Sequence, residues 1–456
     1  MKGLAVYVSS HPSDPSCLAD PLMSTWTPIK TLSAIGASDL DAEFTPVFEN
    51  NIHDNIVSSI LTALPGGDWG LNVLRLGFDT KHLNNPITIH LVVAPNGGLS
   101  PDAACKIVSD ILTIIAAAPD SSQLVHIDVC HPLESSSSLA TISFSLLDRN
   151  PEVYHSSARL PYSSVGLVQS EYIGTLSGYI KHRDKDGRDT VYALTCRHVI
   201  DPHSAFRNAC QATPAHLSVT CPAASDHNKT LETITTDIAI GARPSQREIL
   251  EQTLQSAKEY NIAFGDVVAT SGTGRLLPHF QGRSDWAIIS ITNQDIMAEN
   301  KHVRSSDSFV SFKHPLVALL DVDFLRAATQ YFTSGPHFKP VRDDDLSPGE
   351  LVFKPRSRTT NKWTRGTFNA IRSTQRSAGI ATREWCLVAL LPHESMSAGG
   401  DSGSIIVDQE FRPIAMMWGG DTHGFAHGPK GVAYASPLSK VMRDIEECIG
   451  GIISIV

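Results

Sequence analysis

The sequence predicts a multidomain chain: an N-terminal α+β domain over residues 1–131, then a larger region of short strands that carries the chemistry. Three observations point there. At 456 residues the chain exceeds what one hydrophobic core usually organises. Between Pro86 and Val129 the residues pattern as strand, helix, strand. Beyond residue 165, short β-branched runs end in polar or glycine-rich turns, two of them beside His198 and Ser402.

In the first domain, Pro86 to Val93 alternates like a strand, and Leu124 to Val129 is a second one. Pro101 to Ala118 has helical spacing, with Pro101 suited to a first turn. The result is a β-α-β unit of α+β or ferredoxin-like type. Its loop Pro95-Asn96-Gly97-Gly98 lacks the glycine spacing of a dinucleotide or phosphate site, so no cofactor is expected. A partner or effector surface is the expected role. Residues 132–164, with a serine run and Pro151 and Pro161, read as a linker or extended segment.

From residue 165 to 456 the elements follow in order. Lys181 to Arg188 alternates in charge and reads as a hairpin loop. Thr190 to Thr195 is a strand running into Cys196-Arg197-His198. A helical insertion is expected near 244–260, opened by a Ser245/Glu248 capping box, with Ile249, Leu250 and Leu254 on one face. Gly265 to Thr270 reads as a strand. Ser284-Asp285-Trp286-Ala287-Ile288-Ile289 sets an aspartate at the mouth of another. Asp237-Ile238-Ala239-Ile240 offers the same local pattern, but Gly241 and Pro244 cut it short, which favours Asp285.

The segment Gly399-Gly400-Asp401-Ser402-Gly403-Ser404, followed by Ile405-Ile406-Val407, is the most specific in the chain. A serine between glycines on a tight turn exposes its hydroxyl. The N–H groups of Gly400 and Ser402 can converge on one point as an oxyanion hole. A serine hydroxyl is a weak nucleophile near neutral pH, so it needs a histidine base and a group that orients the base. His198 is the candidate base and Asp285 the candidate orienting carboxylate.

Composition narrows the alternatives. An apolar fraction of 41% and a charged fraction of 18% are those of a globular protein, and a net charge of -10 disfavours a nucleic-acid partner. The N-terminal apolar stretch is too short for a secretory signal, and no apolar run reaches the roughly 18 residues of a membrane span. Cys17, Cys105, Cys130, Cys196, Cys210, Cys221, Cys386 and Cys448 are scattered without CxxC pairs, which argues against a disulfide framework and a zinc site. The expected compartment is the cytoplasm, with the nucleus second. Asp421, His423 and His427 lack the further ligand a metal site needs, and Asp343-Asp344-Asp345 reads as a solvated turn.

The order histidine, aspartate, serine, with Leu194 to Val199, Asp285 to Ile289 and Gly400 to Ser404 as its three segments, resembles the trypsin-like, chymotrypsin-fold serine proteases. The narrower resemblance is to intracellular, fungal-type members with an added N-terminal α/β domain, on Gly174-Thr175-Leu176 and Gly349 to Lys354 before Gly366. The resemblance implies a double β-barrel, closed by a C-terminal helix over Pro437 to Ile449, that hydrolyses peptide bonds through an acyl-enzyme. It implies that Met396 and Ser397 belong to the specificity pocket and that Met417-Trp418-Gly419 lines the cleft. With Met396 at the base, the substrate side chain is expected to be uncharged. The resemblance also implies that Asp401 needs a counter-charge, for which this chain has no basic cleavage site followed by an Ile-Val-Gly-Gly-like start. Two other readings stay open: a protease-like binding or signalling module without turnover, and an esterase using the same three residues.

Overall fold

In the computed structural model, one hydrogen-bonded ladder joins the N-terminal strands to a closed barrel near the C-terminus. The structure describes the chain apart from residues 1–6, 11–30, 37, 78–83, 95–96, 119–124, 131–161, 169, 171, 201–216, 242–243, 293–340, 343–344, 356, 359–362, 391–394 and 422–430. The stretches around Asp343 and His423 therefore lie outside the described residues, as does most of the linker. So does the side chain of Ser245, the expected cap.

The N-terminal region contains β1 (Tyr7–Ser9), β2 (Thr31–Ser33), α1 (Asp39–Val47), α2 (His53–Ala63), β3 (Trp69–Gly77), β4 (Ile87–Val93), α3 (Pro101–Ala117) and β5 (Val125–Cys130). Strands β4 and β5 are parallel and α3 connects them, so the expected β-α-β unit is present. Helix α3 begins where Ser100 Oγ accepts from the Ala103 N–H, with Pro101 in the first turn. Its stripe Ala104, Ile107, Val108, Ile111 and Ile115 is buried under the sheet. Helices α1 and α2 run into each other through a wider turn at Phe48–Ile52. They bury Phe44, Phe48, Ile52, Ile56 and Ile60 in the same core.

Strand β4 is buried along its whole length, where alternation was expected. It lies inside the sheet, between β5 and β3, and the neighbouring strands β2 and β3 have a second packed face. Leu32, Leu74 and Leu76 meet Cys386, Val388, Val432 and Tyr434 of the C-terminal region in one apolar cluster.

The middle of the chain forms β6 (Ser164–Leu167), β7 (Ile173–Thr175), β8 (Gly178–Arg183), β9 (Asp189–Thr195), the single turn α4 (Arg197–Ile200), β10 (Ser218–Thr220), α5 (Ala224–Ala239), α6 (Pro244–Glu259), β11 (Ala263–Thr270) and β12 (Ala287–Ile291). With the last strand β20 (Ile452–Ile455), these pair in the antiparallel order β20-β8-β9-β12-β11-β10-β6-β7. The strand reading of Asp237 to Ile240 is corrected: Asp237 lies in the last turn of α5, and Ile240, 78% exposed, caps it. The β-branched Ile238 and Ile240 mimic a strand here. Instead, Thr230, Thr233, Thr235 and Thr236 each donate to the carbonyl four residues back, which a helix permits.

The remaining strands are β13 (Leu351–Lys354), β14 (Thr364–Phe368), β15 (Ser373–Ser377), β16 (Ile380–Ala389), β17 (Ile405–Val407), β18 (Pro413–Asp421) and β19 (Val432–Pro437), followed by α7 (Leu438–Ile449). Pairing runs β16-β14-β13-β17-β18-β19, and β19 pairs back with β16, which closes a six-stranded antiparallel barrel. A closed barrel leaves no free edge. The hairpin β15–β16 leaves the barrel and β15 pairs with β3, so the N-terminal sheet continues from it. One expectation about cysteines is corrected: Cys448 is disulfide-bonded. Its partner lies outside the described residues. Cys105, Cys130, Cys196, Cys221 and Cys386 are free.

Candidate active site

Two loops meet at one place. Strand β9 ends at Thr195, and its buried run Ala193, Leu194 and Thr195 pairs with the start of β12. That register brings Asp285, just before β12, beside His198. His198 Nδ1 lies 2.5 Å from Asp285 Oδ2, and the His198 backbone N–H donates to Asp285 Oδ1 at 3.0 Å. Asp285 is 1% exposed while the His198 side chain is 35% exposed, so the pair has a dry end and a wet end. Burial alone would raise the Asp285 pKa. The His198 charge and hydrogen bond, then Arg283 and Arg197, outweigh it and hold the carboxyl below the usual carboxylate range. With Asp285 ionised, Nδ1 donates, and a neutral His198 keeps Nε2 as an acceptor.

The serine loop docks against the same wall. The Ser402 carbonyl accepts from the Thr175 N–H at 2.8 Å, and the Gly400 carbonyl accepts from Thr175 Oγ1 at 2.9 Å. Gly403 has φ +97°, and a Cβ there would lie 2.2 Å from the Thr175 carbonyl oxygen, so only glycine fits. The Met417 carbonyl joins the two loops, accepting from the Gly403 N–H at 2.8 Å and from Cys196 Sγ at 3.4 Å. Gly174 is wedged between Val199, next to His198, and the Ser402 carbonyl.

Ser402 Oγ donates to the Trp418 carbonyl at 3.2 Å. Among the described residues no hydrogen bond joins it to His198, and none engages the N–H of Gly400 or Ser402. Gly400 has φ +95°. Met396 is fully buried in the barrel core, and the tight space beside Gly366 is filled by its sulfur. Ser397 is buried, with its Oγ 3.4 Å from the Val432 carbonyl. Met417, Trp418 and Gly419 lie on β18, with Met417 buried and Trp418 partly exposed.

Cys196 Sγ, His198 and Asp285 place ligand-type atoms within 4.8 Å of one another. Those atoms are engaged already: Sγ with the Met417 carbonyl, and Nδ1 with Oδ2. Burial, then the nearby Asp285 charge, pushes the Cys196 thiol well up, so it stays a protonated donor.

Three supporting residues were not picked out from the sequence. Asp444, fully buried on α7, accepts from Ser284 Oγ at 2.6 Å, Trp286 Nε1 at 2.7 Å and Arg275 Nη2 at 2.6 Å, so it grips both neighbours of Asp285. Glu384, fully buried on β16, accepts from the Arg283 N–H at 2.7 Å and Trp418 Nε1 at 3.1 Å. Burial pushes its carboxyl up to about 7 despite the hydrogen bonds from Thr382, Arg283 and Trp418. Trp418 also stacks on Tyr434 and lies under the Arg283 guanidinium, 4.8 Å from the ring centre. The third is Lys354, 0% exposed on β13, whose Nζ stands 3.3 Å from Asp401 Oδ2. It supplies the counter-charge that Asp401 was expected to need.

No protein-family model and no curated protein matches the sequence. Among solved structures, the inactive form of the Rv3671c protease is similar at 10% identity and a TM-score of 0.26, covering 60% of this chain and 89% of that one. A variant of the HtrA-type protease AlgW with a tripeptide is similar at 12% identity and a TM-score of 0.29, covering 66% of this chain and 65% of that one.

Proposed function

We propose that the chain is a trypsin-like serine endopeptidase built on a double barrel, working through His198, Asp285 and Ser402. The single observation that carries this reading is the pairing of His198 Nδ1 with a buried, ionised Asp285, while the other ring nitrogen has no hydrogen-bond partner among the described residues. In the first step Ser402 Oγ leaves the Trp418 carbonyl and attacks the scissile carbonyl carbon as His198 Nε2 takes its proton. Catalytic hydrogen bonds often tighten only when substrate binds. Asp285 stabilises the imidazolium. The carbonyl electron pair moves onto oxygen, where the N–H groups of Gly400 and Ser402 receive it. His198 then gives the proton to the leaving amine, which departs and leaves the acyl-serine. Water repeats the sequence with the amine's place taken by Ser402.

A second reading, a protease-like module without turnover, has one observation in its favour: the Ser402 hydroxyl is engaged by the Trp418 carbonyl and not by His198. Digestion of a peptide library by the full chain separates the two. The endopeptidase reading expects cleavage after uncharged residues, abolished by Ser402→Ala. No cleavage by the folded wild-type chain favours the module, and hydrolysis of small esters alone favours an esterase.

A further inference from the structure

We infer that Lys354 is a positioning residue for the oxyanion hole: its buried ammonium fixes Asp401, and Asp401 fixes the turn that aims the N–H groups of Gly400 and Ser402. The inference rests on the endopeptidase reading for its catalytic consequence, though not for its geometry.

Asp401 stands between the two residues whose N–H groups would bind the oxyanion. Its carboxylate cannot face water, because the residue is 1% exposed. Instead it turns inward. Oδ2 accepts from the Ala398 N–H at 2.9 Å and Oδ1 from Ser357 Oγ at 2.5 Å. Lys354 Nζ stands 3.3 Å from Oδ2 and donates to that same Ser357 Oγ at 3.1 Å. Lysine, serine and aspartate thus form one connected, buried group spanning β13 and the serine loop.

The main chain around it is equally constrained. The Asp401 N–H donates to the Ala398 carbonyl at 3.0 Å, and the Asp401 carbonyl accepts from the Ser404 N–H at 2.9 Å. The carboxylate and both peptide groups of Asp401 therefore hold one compact turn from Ala398 to Ser404. Gly400, at φ +95°, has no Cβ to hold it there, so its orientation follows from its neighbour.

Without the ammonium, Asp401 would lose the Lys354 charge beside its buried carboxylate. Removing one partner of a buried pair is strongly unfavourable, and the carboxylate can relieve it by turning out of the site. That movement rotates the peptide after Asp401, which carries the Ser402 N–H, and displaces the peptide before it, which sets the position of Gly400 and so the aim of the Gly400 N–H. An ion pair that served packing alone would leave the hole unchanged when both charges were removed together.

The test uses the full chain with Lys354→Met, the double variant Lys354→Met with Asp401→Asn, and Ser357→Ala, which keeps both charges. Thermal unfolding confirms folding of each. Expected for Lys354→Met are a fall in kcat and in fluorophosphonate labelling of Ser402 of about 10² to 10³, with KM little changed. Amide hydrogen exchange should rise over 396–404 and stay unchanged in β17 and β18. Ser357→Ala should show the same changes more weakly, and the double variant should not recover activity. Wild-type labelling and wild-type exchange in a folded Lys354→Met chain would overturn the inference, as would recovery by the double variant. If the wild-type chain fails to label while Lys354→Met still loosens 396–404, the endopeptidase reading falls and the positioning role stands.

Discussion

Glu384→Gln should flatten the pH dependence of stability between about pH 5 and 8. In the native state the Glu384 carboxyl titrates at about 7, against an ordinary 4.5, because burial disfavours its charged form. The sign follows from proton counting. Between those two values the native state holds a proton that the unfolded chain has released, so stability falls as pH rises. The favourable contribution is complete below about pH 4.5 and gone above about pH 7. A change of that size corresponds to roughly 3 kcal/mol. Urea midpoints followed by tryptophan fluorescence at pH 5, 6, 7 and 8 would measure it. The glutamine variant should be less stable at pH 5, since its amide meets the Trp418 N–H donor to donor, and its profile should lack the downward slope. The wild-type chain should lose on the order of 3 kcal/mol more than the variant across the range. Parallel profiles for the two proteins would refute the reasoning.

Asp285→Asn should keep the fold and slow peptide turnover by about 10⁴, with Asp237→Asn at the wild-type rate because Asp237 sits on α5. Equal losses at both positions in a steady-state assay would reverse that assignment. Asp444→Ala leaves Arg275 with Glu447 and strands the buried donors of Ser284 and Trp286, and should cost about 1 to 3 kcal/mol in urea unfolding; an unchanged midpoint would show that the grip on the Asp285 loop is idle. Gly403→Ala places a Cβ 2.2 Å from the Thr175 carbonyl at φ +97°, and should lower stability by at least about 1 to 3 kcal/mol. A wild-type melting temperature would contradict that packing.

The residues that the sequence made legible are those with a local signature. Ser402 lies in a glycine-rich turn before an apolar strand, and His198 follows a strand end. Asp285 precedes a β-branched run long enough to pair with β9. Their supports had no such signature, because each acts across a long stretch of chain: Asp444 reaches Ser284 over 160 residues, and Glu384 reaches Arg283 over 101. A lone buried lysine or carboxylate in a strand or helix pattern looks like any surface charge until its partner is placed. The four-residue recurrence of Phe44, Phe48, Ile52, Ile56 and Ile60 was visible in principle, but Pro46 inside α1 interrupts the helical reading. The pairing of β3 with β15 was invisible for a different reason. It depends on two edges meeting, and nothing in either strand's alternation names its neighbour.

The most direct measurement is the site of covalent capture by a fluorophosphonate, mapped by peptide mass spectrometry on the full-length chain. The account expects one phosphonyl adduct on Ser402, absent after Ser402→Ala and strongly slowed after His198→Ala. A folded wild-type chain that forms no adduct, or an adduct that persists in Ser402→Ala, would contradict it.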